Sequence, residues 1–119
     1  MKERLDILVQ NNIVDDHIAE YCMNIFNDIL TPKNLVSNAT EVFITHLAMA
    51  SQRISKGDVV SNMDDAILED IKTFERFEEV KNLTDTILET SHVIFPQSEI
   101  EFLWLHLCNV FNENGGESV

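Results

Sequence analysis

Val42-Phe43-Ile44-Thr45-His46-Leu47-Ala48-Met49-Ala50 is apolar on nearly every side of a helix, with one histidine in its midst. A helix that is apolar all round lies in the centre of a bundle or against a second chain. The stretch extends into a helix over about 39–55, with Ser37 or Asn38 to cap its start and Gly57 suited to its stop. Near the end of the chain a second apolar run, Phe102-Leu103-Trp104-Leu105-His106-Leu107-Cys108, carries another lone histidine. An imidazole inside such a run must find a hydrogen bond if buried, or it marks a functional surface.

Outward from these two runs the pattern stays helical. The 119 residues include only 3 Gly and 2 Pro, too few punctuators for many short strands. Ile18, Cys22, Ile25, Phe26 and Ile29 recur at helical spacing over 15–30, where Thr31-Pro32 ends the helix. Further helices are expected over 63–74 and 76–91. A fifth runs from a Ser98-x-x-Glu101 capping box to about Asn112. Val59-Val60 and Val93–Pro96 read as extended connections. The expected fold class is all-α, a compact five-helix bundle. Its domain spans 15–112, preceded by a leading segment 1–14 that includes a short helix at 2–10. A polar tail, 113–119, is expected to fray.

Charge and cysteines narrow the function. With 21 acidic residues against 8 basic ones, the net charge of -13 opposes direct nucleic-acid binding, which needs clustered Lys and Arg. Cys22 and Cys108 sit in apolar helical stretches and read as small buried hydrophobes of a reducing compartment. No Cys-x-x-Cys and no zinc-like Cys/His spacing is present, so neither a metal nor a cofactor is expected. The N-terminus lacks a signal-peptide core, and no apolar stretch is long enough for a membrane span; a cytoplasmic location is the expectation. No nucleotide loop or nucleophile triad argues for an enzyme.

The histidines carry what remains. His17 is expected to be exposed in a first helical turn, and His92 to end a helix, where the dipole favours an imidazolium. His46 and His106 admit two readings: core histidines satisfied by a carboxylate or carbonyl, or acceptors of a phosphoryl group. Arg53 lies seven residues after His46, on the same side of the helix and about 10 Å along its axis. It is either a phosphate-stabilising guanidinium or a cation favoured by the helix C-terminus.

Thr45-His46-Leu47-Ala48-Met49-Ala50-Ser51-Gln52-Arg53-Ile54 resembles the first signature of the phosphotransferase-system regulation domain, the PRD. Asp65–Phe74 is similar to the middle segment of that family. Phe95-Pro96-Gln97-Ser98-Glu99-Ile100-Glu101-Phe102-Leu103-Trp104-Leu105-His106-Leu107 resembles its closing signature. The sequence departs from the pattern at Thr45, where the family often has aspartate, and at Glu101, where a small residue is common. The resemblance implies a five-helix bundle that forms a homodimer. It makes His46 and His106 phosphoryl acceptors, with a histidine phosphocarrier protein or a sugar-permease IIB component as donor. It places the chain in antiterminator-like transcription regulation. No nucleic-acid-binding module is expected beside the domain, so output is expected to pass through a protein partner. The competing expectation is a helical dimerisation or interaction module with structural histidines and no phosphotransfer.

Overall fold

The computed structural model describes residues 1–114 and is all-helical over them, with six α-helices rather than five. These are α1 (Lys2–Gln10), α2 (Asp16–Ile25), α3 (Asn38–Ser55), α4 (Asp65–Lys72), α5 (Phe77–Leu88) and α6 (Gln97–Asn114). The sixth is α1, the short helix of the leading segment. It is an integral element because its Leu5 is buried in the common core.

Two helices of 18 residues, α3 and α6, form the centre. They run antiparallel: His46 faces His106, while Arg53, two turns on in α3, faces Glu99, two turns back in α6. Phe43, Ile44, Leu47, Ala48 and Ala50 of α3 and Leu103, Leu107 and Val110 of α6 are completely shielded from solvent. This is why α3 is apolar on so many sides: α2 covers it as well as α6. Val42 and Met49 are left on its open face, 48% and 41% exposed.

Local chemistry sets the ends. Ser37 Oγ accepts the Thr40 amide while Thr40 Oγ1 accepts the Ser37 amide, a reciprocal cap that opens α3. Asn114 of α6 also donates to Ser37 Oγ at 2.8 Å, tying the end of α6 to the start of α3. Ser37→Ala removes the two bonds that Oγ accepts, from the Thr40 amide and from Asn114, and is expected to cost about 1 kcal/mol in urea unfolding. A loss within about 0.3 kcal/mol would show the cap to be idle. Beyond α3, Gly57 takes a left-handed φ of 82°.

Three sequence expectations change. The helix expected over 15–30 stays α-helical only to Ile25 and widens into a π turn, Phe26–Leu30, then a 3-10 turn, Thr31–Lys33. The Thr31 amide and hydroxyl both bond the Phe26 carbonyl, and Pro32 has no amide with which to continue the helix. The Ser98–Glu101 capping box is not made. The Pro96 carbonyl instead accepts the first intrahelical bonds, from Glu99 and Ile100, so Ser98 already lies inside α6. Finally, α6 runs on to Asn114, so Glu113 and Asn114 are helical; the rest of the expected tail lies outside the described residues.

Candidate functional site

Helical spacing gathers the residues of interest on one face. Val42, His46, Met49 and Arg53 follow one another at four-, three- and four-residue steps along α3. Phe102, His106 and Asn109 do the same on α6. Because the helices are antiparallel neighbours, the two stripes meet and their histidines touch. The His46 and His106 ring centroids are 4.5 Å apart with the planes tilted by 39°, and Phe102 flanks His46 at 6.4 Å.

The two imidazoles are not equivalent. His46 Nε2 is sealed from solvent and has no hydrogen-bond partner, one of two such buried side-chain atoms among the described residues, the other being Ser51 Oγ. An unpaired buried polar atom costs about 1–3 kcal/mol, which makes this nitrogen conspicuous. His106 instead lines a groove of about 450 Å³ together with Asn38, Ala39, Val42, Asn109, Asn112 and Glu113.

Burial lowers the His46 pKa from 6.5 to about 4, with the neighbouring His106 and the Arg53 charge adding to the effect. His106 is lowered as well, through burial. Both rings are therefore neutral at pH 7, the state in which a ring nitrogen has a lone pair to offer. The unfolded chain binds these protons near pH 6.5 and the folded chain only at lower pH. The stability this represents is complete above pH 6.5 and is lost as pH falls from there toward 4. In His46→Leu the fall in urea midpoint between pH 7 and pH 4.5 should be visibly shallower than in the unsubstituted protein. Parallel curves would show that His46 is not buried as described.

Arg53 does not point at the imidazoles. Its Nε and Nη2 donate to Glu99 Oε2 and Oε1 at 3.1 and 3.0 Å, a bidentate pair joining α3 to the first turn of α6. Glu99 is completely buried, while the Arg53 side chain keeps 30% exposure. The pair lies two turns from the histidines. On α1, Arg4 donates to Thr45 Oγ1 at 3.5 Å, so the position where aspartate is common carries a hydroxyl reached by a cation.

A family model described as the PRD domain matches residues 20–110. The chain belongs to the PRD domain family. No curated protein and no solved structure matches it. The match spans the histidine pair and Arg53, and covers every helix except α1, the start of α2 and the last turn of α6. The chain is thus a regulatory domain of the phosphotransferase-system type.

Within this PRD the other expected residues fall in place unevenly. His17 is exposed in the first turn of α2, as its position suggested. His92 does not end a helix: α5 stops at Leu88, and His92 packs edge-on against His17, centroids 5.6 Å apart. Cys22 and Cys108 are buried, and burial pushes their thiols up to about 12 and about 11, the behaviour of inert core residues. Glu99 was not foreseen as a site residue. Its signal was its spacing: it precedes the core residues Leu103 and Leu107 by one and two helical steps, so it shares their buried face. Among the described residues no cluster of three His, Cys, Asp or Glu is placed to hold a metal, and no helix is long and apolar enough to cross a membrane.

Proposed function

We propose that this PRD receives a phosphoryl group within the His46–His106 pair. The donor is the phosphohistidine of a phosphocarrier protein or a permease IIB component, and the added charge retunes self-association and docking to a protein partner. The observation that carries this reading is the pair itself: two neutral imidazoles 4.5 Å apart, one opening on a surface groove. In the transfer, the lone pair of a ring nitrogen forms a P–N bond as the donor's P–N bond breaks. The electron pair returns to the donor imidazole, and the proton on the acceptor's other nitrogen passes to it. The chain is a substrate in this step and not an enzyme.

The regulatory consequence follows from place. The histidine pair adjoins the α3 face that carries Val42 and Met49, the exposed apolar residues suited to a second copy of the chain. A phosphoryl group brings about -1.5 to -2 charges to that face, by analogy with other phosphorylated side chains. In a chain already at -13, a homodimer packed across it would be driven apart unless a cation such as Arg53 compensates. Direct contact with nucleic acid is not part of this reading. A second reading, a helical interaction module with structural histidines, is favoured by one observation: Arg53 already has its carboxylate in Glu99.

Sedimentation velocity before and after incubation with phosphorylated carrier separates the two. The proposal expects the dimer constant to move several-fold on phosphorylation. Identical constants, with the mass increase confirmed, would refute the switching role.

A further inference from the structure

We propose that the two imidazoles divide the work: the pair takes one phosphoryl group per chain, on His106, and His46 remains unmodified and donates a hydrogen bond from Nε2 to that group. The inference rests on the phosphotransfer reading above and deepens it.

Access decides the first half. A donor protein must bring its phosphorus in line with the attacking nitrogen. His106 borders an open groove, whereas His46 is not among the residues lining that groove and its Nε2 is shielded from solvent. The lining of the groove also includes Asn38, Asn109 and Asn112, whose amides are able to donate to a phosphoryl group, and a single carboxylate, Glu113.

The unpaired nitrogen decides the second half. Buried polar atoms without partners are rare, and one lying beside a reactive group signals a partner that arrives later. His46 Nε2 belongs to a ring whose centroid is 4.5 Å from that of His106, so a phosphoryl group on His106 enters its reach. Burial keeps His46 neutral at pH 7, so one ring nitrogen bears a hydrogen. With that hydrogen on Nε2 the orphan becomes a donor to a phosphoryl oxygen. Single occupancy follows from the same distance, since two multiply charged groups on adjacent, half-buried rings repel strongly.

The chemical step is balanced. In phosphoramidate the P–N bond breaks as the His106 nitrogen bonds to phosphorus, and ammonia leaves with the proton released from the ring. Phosphoramidate also reacts with exposed histidines, so the full chain carries His17→Gln and His92→Gln, both remote from the pair. Intact mass at alkaline pH should then show a single phosphoryl adduct, absent in His106→Ala. In His46→Ala the adduct should still form on His106 but hydrolyse several-fold faster. His46→Gln, whose amide places an N–H near the position of Nε2, should restore the lifetime. In the unsubstituted, nitrogen-15-labelled protein, phosphorus–nitrogen coupling should map to His106 and the His46 Nε2–H signal should sharpen. Two adducts on one chain, an adduct confined to His46, no adduct on either ring, or equal lifetimes in all His46 variants would each overturn the proposal. Because phosphoramidate needs no carrier, failure of a carrier protein to phosphorylate the chain refutes the regulatory reading alone.

Discussion

Arg53→Ala is expected to lower the unfolding free energy by about 3 kcal/mol, a loss read from urea titration at pH 7. The substitution leaves Glu99, which has no exposed side-chain surface, as an unpaired charge in the core of α6. Breaking a buried pair by removing one partner costs about 3–5 kcal/mol; the low end applies because the Arg53 side chain is 30% exposed and partly hydrated. Adding Glu99→Leu to Arg53→Ala removes the stranded carboxylate and should recover most of the loss. The contrast is Lys2–Asp6, an i,i+4 pair with side chains 76% and 50% exposed, where Lys2→Ala should change little. An Arg53→Ala loss no larger than that of Lys2→Ala would mean that Glu99 does not depend on Arg53 in the folded protein.

Leu107→Ala should cost a comparable amount, about 3 kcal/mol, through a different cause. Leu107 is completely buried on the face that α6 turns to the core. Truncation loses its transfer free energy and leaves a cavity that two long helices cannot easily close. Its neighbour in sequence is His106, so the same change should loosen the histidine pair. Slower phosphoryl transfer with an altered His106 ring signal is expected beside the lower urea midpoint. Val42→Ala, on the open face of α3, is the control and should shift stability by no more than about 0.5 kcal/mol. A Leu107→Ala loss below about 1 kcal/mol would contradict the packing described.

The central helices were readable because their patterns are strong. The all-round apolar run of α3, its Ser37 cap and the His46 and His106 positions need no tertiary information. The pairing of the two histidines was not readable from periodicity, because nothing in either run fixes the register between two helices far apart in the chain. That register is set by Arg53 and Glu99, one predicted to serve phosphate and the other unassigned. Glu99 was hidden by local chemistry: the capping box offered by Ser98 and Glu101 made it the first residue of the helix, where a carboxylate reads as an exposed partner of the dipole. The Pro96 carbonyl made that box unnecessary. The π turn at Phe26–Leu30 escaped for a similar reason, since an apolar period cannot distinguish an α turn from a widened one.

The measurement that bears most directly on the central claim is intact-mass spectrometry at alkaline pH after incubation with a phosphorylated histidine phosphocarrier, with a panel of IIB components in parallel. The unsubstituted chain, His46→Ala and His106→Ala would be compared, each first shown to be folded. The account predicts an acid-labile phosphoryl adduct on the unsubstituted chain that disappears in His106→Ala. No adduct from any donor, or an adduct retained in His106→Ala, would contradict it.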